Sequence, residues 1–271
     1  MIRDITIGQY YPADSLIHKL DPRIKLVGTL LFIISLFLFS SFSGYVVAAI
    51  FLFGTIRLSK VPLKFILKGL KAVFVLLLFT IIFNIFLTKG TPLLTLGPLT
   101  ITWEGVRTAV FMAIRLVFLI IGSSLMTLTT TPNQLTDGME KGLSIFKKLH
   151  VPVHEIAMIM SIALRFIPIL LEETDKIMKA QSARGADFES GNMIQKAKSL
   201  IPILVPLFVS AFRRANDLAM AMEARCYHGG EGRTKMKPLR YQKRDYIAYL
   251  LLLLYLGVLL TVNLLVKRFL G

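Results

Sequence analysis

Five stretches of the chain are apolar over enough residues to predict membrane-spanning helices. A helix needs about 20 apolar residues to cross a hydrocarbon core of about 30 Å. The uncharged run from Leu26 to Ile56 is too long for one crossing, and a polar break from Ser40 to Gly44 divides it into two helices joined by a tight turn. The other three spans are predicted at Ala72 to Leu87, Val106 to Leu128 and Tyr246 to Val266. The expected fold class is therefore an all-α, polytopic membrane protein.

Composition and charge agree with a membrane protein. The chain has 271 residues, of which 55% are hydrophobic and only 18% charged, and this is too apolar for a soluble domain of that length. Its net charge of +16 is not accompanied by a basic run interleaved with aromatic residues, so membrane topology explains the charge better than nucleic-acid binding. The single cysteine, Cys226, cannot form an internal disulfide.

The distribution of basic residues predicts the orientation. Lysine and arginine accumulate on the cytoplasmic side of membrane proteins. Basic residues follow the second predicted span at positions 57, 60, 64, 68 and 71, whereas the turn from Ser40 to Gly44 has no charge and the connection from Lys89 to Glu104 has little. We therefore expect both connections outside and the N-terminus in the cytoplasm. Pro92, Gly97 and Pro98, with threonines alternating between them and Thr102, predict a short hairpin or an irregular loop.

Two further apolar runs, from Glu155 to Leu171 and from Leu200 to Phe212, are interrupted by prolines or an arginine and are poor spans. They are predicted to belong to two long amphipathic helices, Val153 to Arg184 and Asn192 to Arg225, that lie along the cytoplasmic face. A shorter helix, Asn133 to Leu149, precedes them. The predicted organisation has spans one to four in residues 1–131, a cytoplasmic domain in 132–245 and the final span in 246–271.

Each long helix ends in a tripeptide with arginine between small residues. The two tripeptides are Ala183-Arg184-Gly185 and Ala224-Arg225-Cys226, with their arginines 41 positions apart. Glycine just past a helix stops it, and an arginine there presents five donors to a partner. The favourable interaction of a cation with a helix C-terminus is an alternative explanation for each arginine. Two unrelated helix ends and two matched docking points are therefore both compatible with the residues alone.

The N-terminal stretch from Gly8 to Leu26 contains Asp21-Pro22-Arg23-Ile24-Lys25. This stretch and the two tripeptides together resemble the signature sequences of a known family. The chain is similar throughout to the transmembrane coupling (T) component of energy-coupling factor transporters, the bacterial importers of vitamins and transition-metal ions. Cys226 stands where alanine, serine or glycine is expected, although it is also small.

The resemblance implies an L-shaped, non-catalytic, multi-pass subunit of a transporter complex in the bacterial cell membrane. Its membrane helices would hold one substrate-binding S component, possibly exchangeable with others, and its cytoplasmic helices would dock on two ABC-type ATPases. Ala183, Arg184 and Gly185 would contact one ATPase, and Ala224, Arg225 and Cys226 the other. The ATPases would hydrolyse ATP, and this chain would need no cofactor. The N-terminal stretch resembles the T components that serve several vitamin-specific S components.

An integral-membrane enzyme with an active site at the cytoplasmic face is the alternative. Its candidate groups are His150, His154 and Glu155, or the carboxylates of Glu172 and Asp175. Pro152 separates the two histidines and no His-Glu-x-x-His order occurs, so no metal site is assigned. The chain also has no Gly-x-x-x-x-Gly-Lys-Ser/Thr sequence, so an ATP-driven role requires a partner.

Three cations near or within the predicted spans require an explanation. Asp21 and Pro22 are a typical N-cap and first residue for span one, and Arg23 and Lys25 would then contact anionic headgroups. Arg115 lies deep inside the fourth span, where a cation is costly and needs a protein or water neighbour.

Overall fold

The computed structural model describes residues 10–39, 41–96, 99–142, 152–186, 188, 192–229, 236 and 238–270. Within these residues the chain folds almost entirely into helices, which confirms the all-α class. The helices are α1 (Pro22–Leu38), α2 (Phe42–Ser59), α3 (Leu63–Leu87), α4 (Trp103–Thr129), α5 (Pro132–Gly142), α6 (Val153–Ala183), α7 (Met193–Ser199), α8 (Ile201–Glu223) and α9 (Lys243–Leu270). Two strands, β1 (Pro92–Leu96) and β2 (Leu99–Thr102), lie between α3 and α4.

The chain divides into two compact units, and the described parts of each are considered separately. The larger unit consists of residues 8–142 and 239–271, and the smaller contains residues 143–238. The larger unit thus holds the five predicted spans together with α5, which packs on α1.

Local sequence signals explain where the helices of the larger unit begin. The Asp21 carboxylate accepts a hydrogen bond from the Arg23 amide at 3.0 Å, and Pro22 occupies the first turn of α1. Ser41 caps α2 in the same way, so α2 begins at Phe42. The turn between α1 and α2 therefore ends within the polar break from Ser40 to Gly44 that predicted it. The predicted hairpin is also present, because β1 and β2 pair antiparallel.

Aromatic side chains of α1, α2 and α9 form the core of the larger unit. Phe51 and Tyr255 stack with ring centroids 4.3 Å apart, and the Tyr255 hydroxyl lies 2.8 Å from that of Ser35. Phe32 is 3% exposed and packs against Gly122 of α4, where an added Cβ would lie 2.8 Å from the Phe32 ring. The absence of a side chain at Gly122 therefore allows α1 and α4 to approach closely.

Arg115 has the protein neighbours that its depth in α4 requires. Its Nε atom donates a hydrogen bond to the Tyr45 hydroxyl at 3.1 Å, and its guanidinium lies 5.3 Å from the centroid of the Phe37 ring. Both contacts stabilise a cation away from water. The prediction of a neighbour for Arg115 is confirmed.

In the smaller unit, α6 and α8 pack antiparallel. The Gln181 amide near the end of α6 donates to the Pro202 carbonyl at the start of α8 at 3.3 Å, while Glu173 pairs with Arg214 at 2.8 Å further along both helices. The second long amphipathic helix is not continuous, since α7 ends at Ser199 and Leu200 separates it from α8. Pro202 in the first turn of α8 accounts for a new helix start at this point.

Five described helical stretches are long and apolar enough to cross a membrane, which confirms the polytopic class. They are α2, α4, α6, the stretch Ile194–Glu223 and α9, and α3 becomes a sixth if its two halves, which meet at 59°, count as one broken span. The 17-residue α1 is shorter than this length criterion requires. Length and composition thus mark α2, α4 and α9 as possible spans, as predicted, and they mark α6 and the stretch Ile194–Glu223 equally, although both were predicted to lie along the cytoplasmic face.

Candidate functional site

The first arginine tripeptide forms a closed helix end. The amide of Gly185 donates to the Ser182 carbonyl and the amide of Ala186 to the Gln181 carbonyl, both at 3.0 Å, and Gly185 has a φ of +88°. This pair of bonds around a left-handed residue is the Schellman motif. It satisfies two of the last carbonyls of α6 within the chain and leaves the Arg184 side chain exposed at the tip.

The second tripeptide adopts the same motif at the end of α8. The amide of Cys226 donates to the Glu223 carbonyl at 2.8 Å and that of Tyr227 to the Met222 carbonyl at 3.1 Å. Cys226 has a φ of +53° and takes the place that Gly185 has in the first motif. Every donor and acceptor of one motif thus corresponds to a residue 41 positions away in the other. The repeat extends to the backbone conformation.

Both arginines are free to meet a partner. The side chains of Arg184 and Arg225 are exposed, and neither has a hydrogen bond or ion pair to another residue in the described part of the chain. Ala183 and Ala224, which precede them, are exposed as well. Each helix end therefore offers an unpaired guanidinium beside small side chains, a surface suited to carboxylates or carbonyl groups in a narrow groove.

The antiparallel packing of α6 and α8 places the two arginines at opposite ends of the helix pair. Arg184 lies three turns beyond Glu173, and Arg225 lies three turns beyond Arg214 in the opposite direction. Each of these stretches corresponds to roughly 16 Å of helical rise. Two arginines placed in this way are too far apart to form one shared site.

The N-terminal stretch forms a second polar cluster, in the larger unit. Lys25 is only 7% exposed, and its Nζ atom donates to the carbonyls of His18 at 3.1 Å and Thr129 at 2.8 Å. Arg23 donates to the Leu239 carbonyl at 3.1 Å. The expectation that Arg23 and Lys25 contact headgroups is therefore wrong, because backbone carbonyls of neighbouring segments bind both cations. Gly8 and Gln9 lie outside the described residues.

Asp245 completes this cluster, although no pattern in the sequence predicted a role for it. Its carboxylate accepts hydrogen bonds from the amides of Asp21 at 3.0 Å and Gln242 at 2.7 Å, and the residue is 1% exposed. It thereby joins the beginning of α9 to the beginning of α1. The available signal was an acidic residue directly before an apolar span. Acidic residues are common near helix N-termini, so this signal did not distinguish Asp245 from an ordinary residue of a first helical turn.

His18 belongs to the same stretch and is held neutral. Its Nε2 atom donates to the Tyr11 carbonyl at 2.9 Å, which leaves Nδ1 to accept from the Ser15 hydroxyl at 2.7 Å. Burial lowers the pKa of His18 below its ordinary value. The imidazole is therefore a structural link between two turns of the N-terminal segment at neutral pH.

Comparison with known proteins decides between the alternatives at the level of the family. The family model described as cobalt transport protein matches residues 13–236. A protein of Clostridium kluyveri named "Energy-coupling factor transporter transmembrane protein EcfT" is 61% identical over 252 residues, which cover 92% of this chain and 93% of the relative. Proteins of the same name from Ruminiclostridium cellulolyticum and Bacillus subtilis are 58% and 48% identical, covering 91% and 90% of this chain and 92% and 93% of the relatives. The chain belongs to the EcfT family.

Membership in the EcfT family confirms the resemblance drawn from the N-terminal stretch and the two tripeptides. It makes this chain a transmembrane component of an energy-coupling factor transporter, located in a membrane. The relatives' shared name describes a transporter component and favours a subunit without enzymatic activity.

The candidate residues of the alternative enzyme site lie at separate places along α6 in this EcfT protein. Glu172 is exposed on α6, and its neighbour Glu173 forms an ion pair with Arg214. Asp175 is partly buried about one turn further along the helix. His154 and Glu155 lie in the first turn of α6, and His150 lies outside the described residues. Over the described ranges, no three His, Cys, Asp or Glu side chains come together in a way that could hold a metal ion.

The left-handed residues of the two motifs predict opposite effects of small substitutions in this EcfT protein. Gly185→Ala should destabilise the end of α6 by about 1 kcal/mol, because a Cβ is unfavourable at positive φ. Cys226→Gly should stabilise the end of α8 by up to about 1 kcal/mol for the same reason. Amide hydrogen exchange of residues 181–186 and 222–227 measures both effects, and equal protection in the wild type and both variants would contradict them.

Proposed function

We propose that this EcfT protein is the non-catalytic coupling subunit of an ECF-type ABC importer. Two ABC-type ATPase subunits dock on it, one through Ala183, Arg184 and Gly185 and the other through Ala224, Arg225 and Cys226. It transmits their nucleotide-driven movement to one S component, which carries a vitamin or another micronutrient. The observation that carries this proposal is the occurrence of one exposed arginine in the same helix-terminating motif at each end of the α6–α8 pair.

The contacts between α6 and α8 suit the transmission of a displacement. The Glu173–Arg214 ion pair and the hydrogen bond from Gln181 to Pro202 connect the two helices at separate levels. A helix pair joined in this way moves as one body more readily than two independent helices. Closure of the ATPases on nucleotide would pull on both ends of the pair, and the S component would reorient in response.

Charge supports a cytoplasmic location for the docking ends. In the segment proposed as the cytoplasmic domain, residues 132–245, lysines and arginines are frequent on both sides of the apolar runs of α6 and α8. The positive-inside rule assigns such segments to the cytoplasm, together with the N-terminus. The first four spans would then lie in residues 1–131 and the last in 246–271, in the bacterial cell membrane.

Composition of the purified complex tests this function. The tagged chain is co-produced with the two ATPases and an S component from the same organism, and the mass of the purified complex is measured by native mass spectrometry. We expect one copy of this chain with two ATPase subunits and one S component, and ATP hydrolysis only when the ATPases are present. Purification of the chain without any nucleotide-binding subunit, or hydrolysis of ATP by the chain alone, would refute the proposal.

A further inference from the structure

The first half of α3, Leu63–Lys71, carries three lysines on one face. Lys64, Lys68 and Lys71 are spaced by four and three residues, so they project in nearly the same direction from a helix. All three side chains are exposed, and none has an ion pair with a described residue. The sequence contains no acidic residue between Asp21 and Glu104 that could neutralise them from nearby in the chain. This lysine face is therefore an uncompensated patch of positive charge.

The opposite face of the same segment is anchored on the protein. Ile66 is 1% exposed and belongs to a buried cluster with Leu125 and Leu128. Gly69 lies so close to α4 that an added Cβ would be 2.8 Å from the Ser124 hydroxyl. These contacts fix the rotation of the segment, and they keep the lysine face directed away from the rest of the larger unit.

The contacts with α4 also define the depth of the segment. Leu125 and Leu128 lie in the last turns of α4, which ends at Thr129 and has 27 residues. A helix of that length spans about 40 Å, whereas the hydrocarbon core is about 30 Å thick. The last turns of α4 therefore reach into the headgroup region, and Leu63–Lys71 lies beside them.

The bend in α3 supports the same depth. Leu63–Lys71 makes an angle of 59° with Val73–Leu87, the uncharged half that is suited to the hydrocarbon core. Phe65 and Leu67 lie between the lysines in sequence and are 43% and 55% exposed. Lysines flanked by exposed aromatic and aliphatic side chains are typical of helices that lie in the membrane interface.

We propose that Lys64, Lys68 and Lys71 bind the headgroups of anionic phospholipids. The occupant is a lipid because the lysine face lies at headgroup depth, carries uncompensated positive charge and is bordered by apolar side chains that fit the adjoining acyl chains. Binding would hold the start of α3 in the interface while Val73–Leu87 crosses the membrane. The surface is independent of the two arginine motifs, which belong to the smaller unit.

The test compares lipid binding by the full-length chain and its variants. The purified chain in neutral detergent is titrated with phosphatidylglycerol or phosphatidylcholine, and bound lipids are counted by native mass spectrometry. Each lysine near an anionic surface contributes about fivefold to binding. We therefore expect the variant K64Q/K68Q/K71Q to bind phosphatidylglycerol at least tenfold more weakly than the wild type, with phosphatidylcholine binding unchanged. The variant K64R/K68R/K71R should retain binding, because it retains the charge.

A matched control removes three exposed lysines of the smaller unit, in the variant K176Q/K179Q/K196Q. This control should bind phosphatidylglycerol as the wild type does, and unchanged thermal stability of both glutamine variants shows that their folds are intact. Equal loss in the two glutamine variants would overturn the proposal, since the effect would then reflect net charge alone. Unchanged lipid binding in K64Q/K68Q/K71Q together with loss of the ATPase subunits would also overturn it and would assign the lysine face to an acidic protein partner.

Discussion

Replacement of Arg184 and Arg225 together by alanine should abolish co-purification of both ATPase subunits and reduce substrate uptake to background. Each guanidinium is exposed at a closed helix end and has no partner in the described part of the chain, so its removal costs this protein little stability. Truncation of a buried interfacial arginine commonly weakens binding by about 2 kcal/mol or more, and two losses multiply the effect. Pull-down of the ATPases with the tagged chain and uptake of labelled substrate by whole cells measure the two expected results.

The single variants sharpen this prediction. Because the two arginines lie at opposite ends of the α6–α8 pair, R184A and R225A should each weaken the contact with one ATPase and leave the other contact in place. The matched control is R165A/R213A, which removes one exposed arginine from each of the same helices outside the terminal motifs. Loss of ATPase binding in the control to the same extent as in R184A/R225A would show that the terminal motifs have no special role.

Truncation of Asp245 to alanine should destabilise the larger unit by about 2–5 kcal/mol. The carboxylate is 1% exposed and accepts hydrogen bonds from the backbone amides of Asp21 and Gln242. Without it, the buried amide of Asp21 and the partly buried amide of Gln242 lose their acceptor, and an unsatisfied buried donor costs about 1–3 kcal/mol. The buried Lys25 nearby would also lose a compensating negative charge. Thermal unfolding of the detergent-solubilised chain measures the effect, with a fall in Tm of about 5–15 °C expected.

Two other aspartate variants separate this effect from a general loss of negative charge. Asp245→Asn retains one acceptor oxygen and should show an intermediate loss of stability. Asp14→Asn alters an exposed carboxylate, paired with Lys19 at 2.6 Å and with a side chain 81% exposed, and should leave Tm unchanged. A D245A variant as stable as D14N would show that the buried hydrogen bonds do not hold α1 and α9 together.

Much of the secondary structure was predictable because its signals are local. Asp21 and Pro22 start α1 as expected, and Ser41 starts α2 within the predicted polar break. Long, predominantly apolar runs were sufficient to predict α2, α4 and α9 to within a few residues, since a membrane span depends mainly on length and hydrophobicity. The break at Leu200 between α7 and α8 was missed, although Pro202 was visible, because a proline can also lie inside a helix, as Pro168 does in α6 and Pro206 in α8.

The sequence by itself determined the all-α membrane class, the helix ends that carry Arg184 and Arg225, and the resemblance that family membership confirmed. Only the tertiary structure decided that Cys226 adopts the left-handed conformation of Gly185, because cysteine has no intrinsic preference for it. Only the structure brought Asp245 to Asp21 and the Lys25 ammonium to the Thr129 carbonyl, since these pairs are distant in sequence and meet through packing of whole helices. The same holds for the opposite placement of the two arginines, which depends on the antiparallel contact of α6 with α8.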